Sequence, residues 1–387
     1  MENSSSKLKI VYVIPTMGCG GAEVLLGTIA RHLASMGHEV HILCLHNHHE
    51  TWPNFPEKEA LLRDVPLHII GGSVRFRFLK SPVLDNKAFA EYLDKLNPDV
   101  IHAHLYLSEL MVSSHLLKGT KYFSHGHDNM PQLRRLGIRT FFSKTLLTNW
   151  WERRWLMKQY AKSKTHFIAI SKDVEDYLRE NCPSLKNRIT RVPNAIDRKR
   201  FFVQRDYSAS KPIFKMLSVG SLVPKKNHAY LIGVAKMLKE KGYSFEINVL
   251  GDGPLKQDLS QQTIAADCAD RLFFRGSVPD VPRWMAESDV YLHPANYEPF
   301  GLVLIEAMAS GMPVISLDGR GNRGLVENGL TGYFLPVDVS PESFANRVEE
   351  FICDSEKVRK LGTAAQAFSK EFDIEGYINT LLHLYRA

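Results

Sequence analysis

The chain has 387 residues, 44% hydrophobic and 24% charged, which excludes a disordered or fibrous protein and is too long for one core of usual size, so two domains are expected. Its net charge of +7 admits anionic partners. Five scattered cysteines without a C-x-x-C pair exclude a disulfide framework and a zinc ribbon and point to a reducing cytosol.

The polar opening Met1–Ser6 lacks the basic region of a signal peptide. No apolar run of about 18 residues occurs, so no membrane span is expected. Lys9–Ile14 reads as a strand, Gly18–Gly21 as a turn, and Ala22–Met36 as a helix closed by Gly37. Strands follow at Glu39–Leu45 and Pro66–Ile70, a helix at Lys87–Leu96, and strands at Val100–Ala103, Tyr122–His125, Thr165–Ile170 and Arg188–Val192. This βαβ alternation implies a parallel sheet covered on both faces. Between Arg134 and Lys172 stand ten Lys/Arg against one acid, Glu152, with Phe141, Phe142, Trp150, Trp151, Trp155 and Tyr160 interleaved. That composition fits a surface that docks on anionic membrane; it equally fits a solvated helix whose aromatics face a core. No nucleic-acid-binding motif accompanies it, so no nucleic acid is expected as a partner.

The polar stretch Asn194–Pro212 reads as a connector. A second series follows: strand Phe214–Val219, helix Asn227–Lys241, strand Phe245–Leu250, helix Pro254–Ala266, strand Leu272–Arg275, helix Val281–Glu287, strand Val290–Pro294 and a helix from about Leu302. Pro341–Arg386 reads as helical. The fold class is therefore α/β, with two doubly wound domains facing across a cleft, and ligands expected at the carboxyl ends of the strands.

Four strand-to-helix loops have the composition of phosphate or nucleotide sites. Gly18 to Gly21, with Gly20 and Gly21 before the first helix, allows close backbone approach; a plain turn is the alternative. Gly220-Ser221 leads to Lys225-Lys226, whose charge can neutralise a diphosphate beside a helix N-terminus. Gly251-Asp252-Gly253-Pro254 brings backbone close to a nucleotide, and Gly276-Ser277-Val278 presents backbone able to meet a base edge. The most telling segment is Glu298-Pro299-Phe300-Gly301-Leu302, followed by Glu306: two carboxylates with seven residues between them across a loop-to-helix junction. Among the 16 histidines, His102-Ala103-His104 and His125-Gly126-His127 each end a strand; either pair suits metal ligation or a structural role.

The ordered set Gly20-Gly21-Ala22-Glu23, Val192–Asp197, Gly220…Lys226-Asn227, Leu250–Pro254, Gly276–Val278, Glu298…Glu306 and Gly311–Val314 resembles glycosyltransferase family 4, a retaining group with the GT-B fold. The resemblance spans nearly the whole chain. It implies an acceptor domain over 1–195, a nucleotide-sugar donor domain over 196–365, and a C-terminal helix over 366–387 that packs back on the first domain. It further implies that Glu306 holds the ribose and Glu298 the transferred sugar, with the Phe300-Gly301-Leu302 backbone beside sugar and phosphate. Lys226 would stabilise the departing diphosphate, and His125 would stand near the anomeric carbon. Gly20, Gly21, Gly220, Ser221, Gly251, Gly253 and Val278 complete the implied donor contacts. Ser221 departs from the pattern, which has Arg there; Lys225, Arg320 and Arg323 are the candidates to replace that cation. No Asp-x-Asp signature appears, so neither a cofactor nor a catalytic metal is expected. The expected partners are a nucleotide-diphosphate sugar and a glycan or lipid-linked glycan in cell-surface polysaccharide synthesis, with the enzyme cytoplasmic or peripheral on the inner membrane face. Other readings are a sugar-nucleotide epimerase or phosphorylase-like enzyme, and a non-catalytic nucleotide-sugar or nucleic-acid binder.

Overall fold

A computed structural model describes residues 6–18, 20–46, 62, 64–76, 82–135, 143–207 and 212–387. Cys19, Arg139, Phe141 and Phe142 lie outside the described residues. The chain forms two compact units: Met1–Asn194 together with Ile374–Ala387, and Ala195–Asp373.

Unit one contains strands β1 (Lys9–Ile14), β2 (Glu39–Cys44), β3 (Leu67–Ile69), β4 (Ser73–Arg75), β5 (Val83–Asp85), β6 (Val100–His104), β7 (Lys121–Gly126), β8 (His166–Ala169) and β9 (Ile189–Arg191). Seven of them form a parallel sheet in the order β3-β2-β1-β6-β7-β8-β9, while β4 and β5 pair as a small antiparallel hairpin that the sequence reading did not contain. Ile10 to Ile14 is wholly buried, as an unbroken apolar strand must be when helices cover both faces. Val11, Val13, Leu43, Phe89, Leu93 and Ile101 form one core of this unit.

The basic–aromatic stretch becomes the helix Lys144–Ser163. Its aromatics are not free: Tyr160 is buried and Trp155 packs edge-on against Phe76 at 5.6 Å. Arg153 donates to the carbonyls of Leu133 (3.0 Å) and Asn181 (2.7 Å). Arg154, Lys158 and Lys162, each four residues apart, remain exposed, so they form one cationic stripe along the helix.

The last helix, Ile374–Arg386, belongs to unit one. Lys121 Nζ donates to the carbonyls of Tyr385 (3.1 Å) and Arg386 (2.9 Å), a cation at the negative end of the helix. The stretch read as continuously helical from Pro341 is three helices, Pro341–Cys353, Ser355–Phe368 and Ile374–Arg386. Asp354 ends the first and caps the second, accepting from Lys357 N, and a 3₁₀ turn over Ser369–Phe372 precedes the third.

Unit two contains β10 (Phe214–Val219), β11 (Phe245–Leu250), β12 (Leu272–Gly276), β13 (Val290–His293), β14 (Val314–Leu317) and β15 (Gly332–Leu335), all parallel in the order β12-β11-β10-β13-β14-β15. Both large sheets have the doubly wound order, in which connections leave a central strand pair in opposite directions. Those switch points fall between β1 and β6 and between β10 and β13, where ligands bind in this class of sheet.

Candidate active site

In unit two the loops after β10 and β13 meet at the switch point and are tied together. Asn296 N donates to Lys225 O (3.0 Å), and Asn227 Nδ2 donates to Pro294 O (3.1 Å) and Asn296 Oδ1 (2.9 Å). The turn carrying the lysines is a short 3₁₀ helix, Pro224–Lys226, and the α-helix starts only at Tyr230, three residues later than the expected start at Asn227. Asn227 takes the left-handed conformation that breaks the two apart.

This closure brings Lys226 Nζ to 2.5 Å from Glu298 Oε2, although the residues are 72 apart in sequence. His293 Nε2 lies 3.1 Å from the same oxygen, off the line of a good hydrogen bond. The Glu298 side chain is only 8% exposed and that of Lys226 19%. Burial opposes the Glu298 charge, but the Lys226 ammonium and the His293 ring outweigh it, and the carboxyl falls to about 2. Glu298 is therefore an ionised acceptor of hydrogen bonds, unsuited to donate a proton near neutral pH.

Glycines hold the Glu298 backbone in place. Glu298 N donates to Gly319 O at 2.8 Å, and a Cβ on Gly321 would stand 2.0 Å from Pro299 O. Gly301, at φ +106°, turns the chain into the helix Leu302–Ala309, a conformation open to glycine. Phe300 is buried, its ring edge-on to Phe372 at 6.0 Å. Leu302 opens the helix and Glu306, half-buried, lies one turn further. Burial first, then the charges of Glu298 and Glu306, push the Tyr291 hydroxyl well up; it bonds both the N–H and the carbonyl of Val219 in the neighbouring strand.

The other expected loops are knit to the same strand ends. Gly220 N donates to Leu250 O (2.9 Å), Leu222 N to Asp252 O (2.9 Å) and Gly251 N to Gly276 O (2.8 Å). A Cβ at Gly251 would approach Gly220 O to 2.1 Å, and one at Gly253 would approach Leu222 O to 2.6 Å, so these glycines are required by loop packing. Ser221 is exposed and Val278 half-buried. Of the cations considered for the missing arginine, Arg323 forms a two-pronged pair with Asp318 (2.8 to 3.0 Å), Arg320 is exposed at φ +73°, and Lys225 Nζ stands 5.8 Å over the Tyr297 ring.

Gly20, Gly21 and His125 belong to unit one. Gly20 and Gly21 stand exposed at the start of the helix Gly21–Ser35, with the Glu23 carboxylate folded back so that a Cβ on Gly20 would meet it at 2.4 Å. His125 is fully buried among His102, His104 and His127; its ring stacks on His127 at 4.4 Å and on His104 at 4.7 Å. Burial lowers His125 to about 4, so its ring is neutral. Immediately after His104, Leu105 takes φ +67°, rare for a branched side chain.

Three contributors escaped the sequence reading. His293 flanks Glu298, and His228, lowered to about 3 by burial and then by His293 and Lys226, fills the space behind Gly220. Each stood beside a segment already singled out, so adjacency was the available signal. Arg205 lies in the connector, where nothing in the pattern marked it. Its guanidinium donates to the carbonyls of Ser288 (2.6 Å), Met285 and Ser310, at the carboxyl ends of the helices Val281–Glu287 and Leu302–Ala309.

Two doubly wound units are the architecture of the GT-B fold, and comparisons with known proteins identify a glycosyltransferase. The family model of the group 1 glycosyl transferases matches residues 201–368, and that of Glycosyltransferase Family 4 matches 19–200. An uncharacterised glycosyltransferase of Methanocaldococcus jannaschii is 24% identical over 95% of this chain and 94% of its own. The UDP-Gal:α-D-GlcNAc-diphosphoundecaprenol α-1,3-galactosyltransferase of Escherichia coli is 27% identical over 50% of this chain and 52% of its own. Among solved structures, Anabaena HepE in complex with UDP and glucose superposes with a TM-score of 0.76 at 20% identity, covering 98% of this chain and 100% of that one. The chain belongs to the glycosyltransferase family 4 group of GT-B enzymes.

Proposed function

We propose that this enzyme transfers a hexosyl group from a nucleoside-diphosphate sugar to a hydroxyl of a glycan acceptor, with retention of anomeric configuration. The observation that carries the reading is the buried Lys226–Glu298 pair at the unit-two switch point. Bond cleavage at the anomeric carbon leaves negative charge on the departing phosphate, and a fixed ammonium stabilises that charge more than the ground state. Lys226 takes this role, with Ser221 and the Gly220 backbone beside it. Glu298 accepts hydrogen bonds from the transferred sugar, and the Phe300-Gly301-Leu302 backbone meets sugar and phosphate. Glu306 accepts both hydroxyls of the ribose. Gly251, Gly253 and Val278 border the nucleotide. For His125 the reading is hydrogen bonding to the sugar through a ring that burial keeps neutral. The reaction calls on no metal or cofactor.

A lipid-linked glycan in cell-surface polysaccharide synthesis is the proposed acceptor, supported by the diphosphoundecaprenol-linked acceptor for which the Escherichia coli relative is named. The exposed stripe Arg154, Lys158 and Lys162 supports a cytoplasmic enzyme docked on the anionic inner face of a membrane. No described helix is long and apolar enough to cross a membrane.

A screen of nucleotide sugars for thermal stabilisation tests the donor: a bound donor raises the midpoint by mass action, and no shift with any of them overturns the reading. Lys226→Ala is expected to lower transfer by roughly 100-fold or more; intact transfer sinks the assignment. Sedimentation with anionic vesicles, lost at high salt and in a variant with the three stripe cations replaced by Gln, is the expected membrane result.

A further inference from the structure

The two His-x-His motifs are only partly used by the reaction. His102 and His104 alternate along β6, so both project from one face of the sheet, and His104 is the register partner of His125 on β7. The three rings cluster, with centroids 4.6 Å (His102–His104), 4.7 Å (His104–His125) and 5.2 Å (His102–His125) apart. One nitrogen from each lies within 4.8 Å of the others. His104 Nε2 and His125 Nε2 are buried without a hydrogen-bond partner, an uncommon and costly condition for a polar atom.

On His102 and His104 the opposite nitrogens are held. His102 Nδ1 is 2.6 Å from the Tyr385 hydroxyl, which in turn lies 3.0 Å from that of Tyr12, and His104 Nδ1 is 2.8 Å from His127 Nε2. His102 Nε2 has only the longer 3.3 Å contact with His125 Nδ1. Imidazoles oriented through one nitrogen and able to offer the other suit a bound metal. We propose that His102, His104 and His125, each through one ring nitrogen, form a buried site for a divalent transition-metal cation of the zinc type.

An all-imidazole donor set favours zinc, cobalt, nickel or copper over magnesium and calcium, which take oxygen ligands. The site shares His125 with the transfer proposed above. If the His125 role proposed there holds, filling the site engages its ring and slows transfer, but the test below does not depend on activity.

Full-length protein stripped with chelator and titrated with Co²⁺ should show one equivalent bound, with the visible absorption of a four-coordinate ion. His104→Gln should abolish that band, while His115→Gln, in a half-exposed histidine paired with Asp94, should retain it. A band that persists in folded His104→Gln protein, or no band in the wild type, overturns the proposal. Should His104→Gln fail to fold, X-ray absorption of zinc-loaded wild-type protein decides: three imidazoles on the ion support the site and fewer overturn it.

Discussion

Replacing Glu298 by Gln preserves shape and removes the charge that Lys226 faces. Holding the carboxyl down from its ordinary 4.5 to about 2 corresponds to about 3 kcal/mol of stability. The side chain is 8% exposed, so solvent screening takes little from that figure. The folded value lies below the unfolded one. The contribution is therefore complete above pH 4.5 and disappears as the pH falls through about 2. Glu298→Gln should lose about 3 kcal/mol at pH 7, also leaving a part-buried ammonium unpaired, and the gap to wild type should narrow below pH 4.5. Urea unfolding at pH 7, 5, 4 and 3 measures it, with hydrogen exchange of peptides from β10 to β15 assigning the change to unit two. Transfer should fall by roughly 10²–10³-fold at pH 7. A gap of equal size at pH 7 and pH 3, or a Gln variant as stable as wild type at pH 7, would show that the pair does not hold the site.

Three further outcomes are expected. Gly321→Ala drives a methyl against Pro299 O, 2.0 Å away; it should cost about 2–4 kcal/mol and weaken donor binding in calorimetry, whereas a variant that binds donor normally would contradict the tight loop. Leu105→Gly relieves the φ +67° backbone, and its thermal midpoint should hold or rise, reflecting about 1 kcal/mol of released strain; a clear fall would refute this. Glu109 accepts from Ser124 and Tyr160, yet burial raises it to about 7. Its folded value lies above the unfolded one, so ionising it erodes stability as pH rises from about 4.5 to about 7. Glu109→Gln should thus match wild type at pH 4.5 and gain up to about 3 kcal/mol by pH 8, read from midpoints at both pH values; a loss that grows with pH would reverse the assignment.

The strand–helix alternation was readable because each strand is a short apolar run ended by Gly, Pro or a polar turn. β10, β11 and the helix Val281–Glu287 fall where the pattern places them. The Glu298 segment was readable because its helix begins at Leu302. What escaped depends on distance in space. Nothing local told that Lys226 and Glu298 share one hydrogen bond, or that His293 joins them, because loop closure across two strands creates those contacts. The β4–β5 hairpin has strands of three residues, too few for an alternation to register. Of the two readings of the basic–aromatic stretch, Tyr160 and Trp155 follow the one in which aromatics pack inward.

The chain leaves unit one at Asn194, returns to it at Ile374, and is stapled between: Ile196 N donates to Phe372 O at 2.9 Å, and Ile196 bridges to Asp373 in parallel. Unit two is thus a cassette spliced into its host, with both cut ends side by side. Such a segment is suited to excision as an autonomous piece and to exchange between relatives as a single genetic block. Its host has no such freedom. A protein ending before Ile374 would lose Tyr385, whose hydroxyl reaches Tyr12 and His102 in the first unit's central strands.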